Sequence, residues 1–129
     1  MTTTTRRISA AHLRAVREHL GLSVSVFAGI INARDDQVRK WEAGKRPIPE
    51  RVANTLNDIA ADTEDAYRTA LERANRDADQ FGDQARITVW RHPSDFAANH
   101  PEDADLGPRW WRNIAARVSL ATGVPIVEG

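Results

Sequence analysis

The sequence contains no cysteine, a single methionine and few aromatic residues. The absence of cysteine excludes disulfides, thiolate metal ligands and a cysteine nucleophile. No apolar run approaches the roughly 18 residues of a membrane-spanning helix, and the polar start MTTTTRR has no apolar segment of the kind found in secretory signals. We therefore expect a cytoplasmic protein. No Ser-His-Asp order, Gly-rich phosphate loop or metal-ligand pattern is visible, so we expect neither an enzyme nor a bound cofactor.

The net charge is zero, but the charges are unevenly distributed. Residues 1–52 carry ten Lys or Arg against five Asp or Glu, whereas residues 53–129 carry eight against thirteen. A basic half indicates an anionic partner such as nucleic acid, although the same division would suit attraction between the halves or head-to-tail docking of copies. With 129 residues, 41% of them hydrophobic, the chain can form one domain, or a small domain with an appendage.

Residues 20–47 have the pattern of two short helices joined by a tight turn. Asn32 takes the turn position, which requires a left-handed backbone that Asn tolerates better than most residues other than glycine. Ala28 falls where the two helices would cross closely. Val38 and Trp41, three residues apart, would anchor the second helix to the core. A preceding helix over about residues 10–20 completes the predicted arrangement.

Four segments of this stretch keep the spacing of a known family without a gap: Gly21-Leu22-Ser23, Phe27-Ala28, Val38-Arg39-Lys40-Trp41-Glu42 and Gly44-Lys45-Arg46. Over residues 9–61 the chain resembles the Xre/Cro-type helix-turn-helix of phage repressors and bacterial regulators. The run from Trp41 to Val52 also resembles the Trp-Glu-x-Gly-Lys-x-x-Ile-Pro-x-Arg-Val pattern of the YdiL-like regulators. Those regulators add a long helix and a small C-terminal α/β segment. The resemblance implies a bacterial or phage transcriptional regulator that binds double-stranded DNA as a homodimer.

The helix predicted at about Asp35 to Ala43 is the candidate recognition helix, which in such motifs enters the major groove. Gln37 can pair with adenine, and Arg39 or Lys40 can reach guanine or a phosphate. In many relatives a polar residue at the position of Val24 contacts the DNA backbone. Here that phosphate contact is either absent or replaced by a contact from the neighbouring Ser23 or Ser25. The candidate DNA-contacting residues are Ser23, Ser25, Arg34, Asp35, Asp36, Gln37, Arg39, Lys40, Lys45 and Arg46.

Asp35 and Asp36 admit two interpretations. As helix starters, they interact favourably with the helix dipole, by roughly 0.3–1 kcal/mol each. As base readers, they accept from cytosine N4 but also repel phosphates. The surrounding cations outnumber them, which favours DNA. The alternative function is a non-enzymatic protein-interaction module, antitoxin-like or a binder of a phage or host factor, in which the acidic helix grips a protein.

From Pro49 the apolar spacing predicts about thirty residues of helix, unless Asp62-Thr63-Glu64 caps a new helix and breaks this one in two. A strand over residues 86–91, a short helix, a final helix from Pro108 and a strand over residues 124–127 follow. The predicted fold is mainly α, a five-helix Xre/Cro-like helix-turn-helix domain with an extended helix and a small C-terminal β-α-β appendage. Its predicted parts are a flexible basic tail (1–8), the DNA-binding domain (9–61), and a helical extension with the α/β segment, which we expect to dimerise (62–129).

Three features outside the motif have alternative interpretations. Arg6 and Arg7 belong either to a frayed tail or to an arm on the DNA. Trp110 and Trp111 either pack a small core or form a base-stacking or dimer-contact surface. The nearest approach to a metal cluster is formed by His92, Asp95, His100, Glu102 and Asp103. Its spacing matches no ligand pattern, so we expect no metal.

Overall fold

The computed structural model describes residues 7–129, so the predicted tail up to Arg6 lies outside the described residues. This part of the chain is mainly helical, as the sequence predicted. Its helices and strands are α1 (Ala10–His19), α2 (Val24–Ile30), α3 (Asp35–Glu42), α4 (Glu50–Phe81), β1 (Ile87–Val89), α5 (Pro93–Asn99), α6 (Gly107–Thr122) and β2 (Ile126–Glu128), with short 3-10 helices at Gly82–Gln84 and Pro101–Leu106. No helix within residues 7–129 has both the length and the apolar character needed to cross a membrane.

Local sequence signals set the ends of the first three helices. The hydroxyl oxygens of Ser9 and Ser23 each accept a hydrogen bond from a backbone N–H three residues later, at 3.0 and 3.1 Å, and so cap α1 and α2. Asn32 adopts φ 56° in the turn between α2 and α3, and Gly44 adopts φ 74° after α3. The predicted turn residue Asn32 is confirmed, and together these caps and turns give α2 and α3 the helix-turn-helix arrangement.

Helix α4 is 32 residues long and continuous, so the predicted alternative break at Asp62-Thr63-Glu64 does not occur. Thr63 instead lies buried within the helix, and its hydroxyl donates to the carbonyl of Ile59 (2.6 Å). The same oxygen accepts the indole N–H of Trp110 from α6 at 2.9 Å. Because α4 continues unbroken past the first three helices, the fifth helix predicted for the helix-turn-helix part is not a separate element.

The C-terminal segment forms the predicted β-α-β unit. Strands β1 and β2 pair in parallel, with Ile87 opposite Ile126, and α5 and α6 form the crossover between them. Helix α6 packs along α4 and reaches the helix-turn-helix part, where Asn113 donates to the carbonyl of His19 (3.0 Å). A Cβ at Gly21 would lie 2.8 Å from the carbonyl oxygen of Arg109, so only glycine allows this close approach. The appendage therefore packs directly on the first half of the chain.

A buried ion pair between Arg17 and Glu42 joins α1 to the end of α3. The Nε and Nη2 atoms of Arg17 donate to the two carboxylate oxygens at 2.7 and 2.8 Å, and both side chains are less than a tenth exposed. Its Nη1 donates to the carbonyl of Leu22 (2.8 Å) in the turn before α2. The hydrogen bonds that Arg17 donates to Glu42 raise the pKa of Arg17, against the opposing effect of burial. One guanidinium thus fixes three segments around α3.

The Arg17–Glu42 pair gives a stability prediction. Arg17→Met leaves the Glu42 carboxylate buried without a partner, and we expect the free energy of unfolding to fall by about 3–5 kcal/mol. Arg17→Met combined with Glu42→Leu removes both charges and should recover most of that loss. Arg14→Met is the control, because the Arg14–Glu18 pair is more than half exposed and should contribute less than about 1 kcal/mol. Urea unfolding measures all three, and equal losses in the single and double variants would contradict the prediction.

The Thr63–Trp110 hydrogen bond gives a second stability prediction. Thr63→Val keeps the shape of the side chain but leaves the Trp110 indole N–H buried without an acceptor, which should cost about 1–3 kcal/mol. Thr55→Val is the matched control, since the Thr55 hydroxyl also donates to a carbonyl one turn back in α4 but accepts no indole. Urea unfolding of the two variants compares them. Equal destabilisation would show that the indole hydrogen bond is unimportant.

Candidate nucleic-acid interface

Helix α3 presents one face to the core and the other to solvent. Val38 is fully buried and Trp41 is 6% exposed, so the helix is anchored as predicted. The backbone N–H of Arg34, just before the helix, donates to the side-chain oxygen of Gln37 at 2.9 Å. This bond orients the Gln37 amide and leaves its NH2 group to donate elsewhere. Of the predicted contact residues on this face, Arg34, Asp36 and Arg39 are exposed, and the others are half-buried.

The two acids at the start of α3 are paired with neighbouring cations. Asp36 lies 3.1 Å from Nε of Arg34 and 3.8 Å from Nζ of Lys40. Asp35 lies 3.9 Å from Arg39, one turn along the helix. Desolvation by its neighbours would raise the pKa of Asp36, but the hydrogen bond and charge of Arg34 and the charge of Lys40 outweigh it, so that pKa is lowered. Both carboxylates are therefore screened by cations of the same face.

The two predicted serine contacts differ in what their hydroxyls already do. The Ser25 hydroxyl donates to a carboxylate oxygen of Asp35, so its proton is already used within the protein. The Ser23 oxygen accepts from the backbone N–H of Val26 and keeps its own proton to donate. Val24 between them is half-buried. The geometry thus favours Ser23 over Ser25 as a donor to a phosphate.

A basic cleft lies between α3 and the loop that follows it. We call it the α3 cleft; it has a volume of about 410 Å³ and its polar lining consists of Arg34, Gln37, Lys40, Arg46 and Arg51. Trp41 and the prolines of the loop line its apolar part. Arg51 is held in place because its guanidinium donates to the carbonyl of Ile31 at 2.9 Å. Four cations and one amide thus converge on a single concave surface.

The α3 cleft gathers four of the ten predicted contact residues. The remaining six do not line it: Ser23, Ser25, Asp35, Asp36, Arg39 and Lys45. Arg51 was not among the predicted contacts. The resemblance includes it in the pattern Pro-x-Arg-Val, but its place beside α3 arises from the start of α4 packing against the turn before α3, which the spacing of residues does not reveal.

The predicted candidates for a metal cluster are only partly brought together. Ligand atoms of His100, Glu102 and Asp103 lie within 4.8 Å of one another, whereas His92 and Asp95 do not join them. Burial, and then the charge of Glu102, raise the pKa of Asp103. The His100 ring packs against aromatic neighbours, and the group is carried by one short 3-10 turn and its first flank. We assign no metal to these residues.

Comparisons with known proteins agree with this architecture. The model of the Aca2/YdiL-like family matches residues 8–123, which include the helix-turn-helix part, α4 and the appendage up to the end of α6, but not β2. A comparison with curated proteins gives no significant match. The family match covers most of the chain and indicates a regulator-type protein. The chain therefore belongs to the Aca2/YdiL-like family.

Proposed function

We propose that this protein is a sequence-specific DNA-binding transcriptional regulator that places α3 in the major groove. The observation that carries the proposal is the α3 cleft, where Arg34, Lys40, Arg46 and Arg51 lie together beside an exposed helix. Cations of this kind bind phosphates and position a helix on the duplex. Because the Arg17–Glu42 pair holds α3 in a fixed orientation, the protein would need little rearrangement to form these phosphate contacts.

The dimensions of α3 suit the major groove. An α-helix with its side chains is about 10–12 Å in diameter and the major groove of B-DNA is about 12 Å wide, so α3 can lie in the groove. Gln37 and Arg39 are the proposed base readers, for adenine and guanine respectively. Lys40, Lys45, Arg46 and Ser23 would contact phosphates.

Asp35 and Asp36 are compatible with this role because each is paired with a cation of α3 or its flank. These pairs are exposed and individually weak, so a base could compete for either partner. A carboxylate that remains beside a phosphate repels it and lowers the affinity for the duplex. A duplex that offers a cytosine N4 amino group, from which the carboxylate accepts a hydrogen bond, offsets this loss. The acids would therefore favour specific over non-specific binding.

We further propose a homodimer formed by residues 62–129. Large apolar side chains are exposed in this part of the chain: Phe81, Leu120, Ile126 and Val127, with Leu120 89% exposed. Strand β2 is exposed throughout and, within residues 7–129, pairs only with β1. A two-fold dimer would bind half-sites about one helical turn apart.

Selection of binders from a random duplex library tests the proposal, with the affinity of the enriched duplex measured at two salt concentrations. We expect one motif with two-fold symmetry, and an affinity that falls steeply with salt because phosphate contacts release counterions. If no motif is enriched and binding is weak even at low salt, the proposal fails. The acidic start of α3 would then favour the protein-interaction module.

Removing Arg39 and Lys40 together should weaken binding to the enriched duplex. The double alanine variant loses a base contact and a phosphate contact and leaves Asp35 and Asp36 without their partners in α3, so we expect a loss of at least about tenfold and a smaller salt dependence. The matched control is Arg68→Ala with Arg76→Ala, which removes two exposed cations from the later part of α4. Circular dichroism verifies folding. An equal loss in both double variants would mean that only net charge matters.

A further inference from the structure

A second cleft lies between the later part of α4 and the β-α-β appendage. We call it the aromatic cleft; it has a volume of about 230 Å³. Its chemically distinctive lining residues are Trp90, His100 and Trp111, which are aromatic, and Arg73, Arg86 and Asp77, which are charged. None of these six belongs to the α3 cleft or to the predicted DNA contacts.

The aromatic side chains form a preorganised wall. The His100 ring lies 4.6 Å from the Trp111 ring and 5.3 Å from the Trp90 ring, centroid to centroid, and it stacks on Phe96 at 5.1 Å. The indole N–H of Trp111 donates to the carbonyl of Thr88 at 2.8 Å, which fixes the orientation of that ring. All three lining rings are half-buried. Such a wall is suited to a planar ring, which can stack against it without displacing a side chain.

The charges at the aromatic cleft favour an anion. Arg73 is exposed and, among residues 7–129, forms no ion pair within 4.0 Å, and the same holds for Asp77 one turn later. The guanidinium of Arg86 donates to the carbonyls of Asp83 and Ala85, which hold it at the cleft without neutralising its charge. Two guanidinium groups thus face one carboxylate. Guanidinium groups bind carboxylates through paired hydrogen bonds.

The volume limits the ligand to about one or two rings. An apolar cavity of roughly 150 Å³ is enough to bind benzene, and clefts for drug-sized ligands begin near roughly 300 Å³. A cleft of 230 Å³ suits one ring, or two fused rings, with one acidic group. We propose that the aromatic cleft binds a small planar aromatic carboxylate. The ring stacks against the wall formed by Trp90, His100 and Trp111, and the carboxylate pairs with Arg73 and Arg86. This inference is independent of DNA binding.

NMR of the four indole N–H groups in the full chain tests the proposal directly. Benzoate is the probe, benzamide is its uncharged counterpart, and cyclohexanecarboxylate is its non-planar counterpart. Saturable shifts are expected at Trp90 and Trp111, while the signals of Trp41 and Trp110, which do not line the cleft, stay in place. Benzoate should bind about tenfold or more tightly than either counterpart, because both the ring and the charge contribute.

Two arginine variants distinguish benzoate binding in the aromatic cleft from attraction of benzoate by general surface charge. Arg73→Gln removes one of the two proposed guanidinium partners and should reduce benzoate affinity several-fold towards that of benzamide, without changing the thermal midpoint. Arg76→Gln, three residues later on α4 and also exposed, does not line the cleft and should leave benzoate affinity unchanged. Equal effects of the two variants would overturn the proposal.

Three other outcomes would also overturn it. The first is the absence of saturable indole shifts with benzoate. The second is tighter binding of adenosine monophosphate than of benzoate, which would assign the cleft to nucleotides. The third is movement of the Trp90 and Trp111 signals with protein concentration alone, which would show that a second copy of the chain fills the cleft.

Discussion

The buried pair between Arg17 and Glu42 is the interaction on which the orientation of α3 depends. Such pairs contribute little net stability, because desolvation of both charges offsets their attraction. Their effect is geometric. The guanidinium of Arg17 donates both to Glu42 and to the carbonyl of Leu22, and few other arrangements of these groups would satisfy the same hydrogen bonds. The end of α3, the helix α1 and the turn before α2 are therefore held together, and the outer face of α3 is presented in a fixed orientation.

The appendage extends this rigid frame. The Trp110 indole and the Thr63 hydroxyl join α6 to α4, and the close approach at Gly21 brings α6 against the turn after α1. The two proposed binding surfaces lie in different parts of the structure: the α3 cleft on the helix-turn-helix part, and the aromatic cleft between α4 and the appendage. Helix α4 contributes to both, since Arg51 lines the first and Arg73 the second. Within residues 7–129, α4 is the helix that lines both clefts.

Much of the fold could be predicted because its signals are local. Asn32 tolerates a left-handed backbone that few other residues adopt, so the sequence was sufficient to place the turn between α2 and α3. The hydroxyl caps at Ser9 and Ser23 and the positive φ at Gly44 are local signals of the same kind. Contacts between distant residues could not be predicted in this way. Arg17 and Glu42 are 25 residues apart, and Thr63 and Trp110 are 47 apart. From the sequence, Asp62-Thr63-Glu64 was an alternative helix start. A threonine that caps a helix and a threonine that accepts an indole N–H inside a helix have the same local sequence pattern, so the sequence does not distinguish the two roles. Neither cleft could be assembled from spacing alone, and for the same reason Arg51 was missed.

The most direct measurement is a backbone amide NMR spectrum of the full chain, recorded with and without a duplex enriched by selection. If α3 reads the DNA, the largest shifts will occur from Arg34 to Lys40 and at Lys45 and Arg46. The amides of the buried residues around Thr63 and Trp110 should move little, because the frame does not rearrange. Shifts concentrated on the β-α-β appendage, with the amides of α3 unchanged, would contradict the assignment of α3 as the DNA-reading helix.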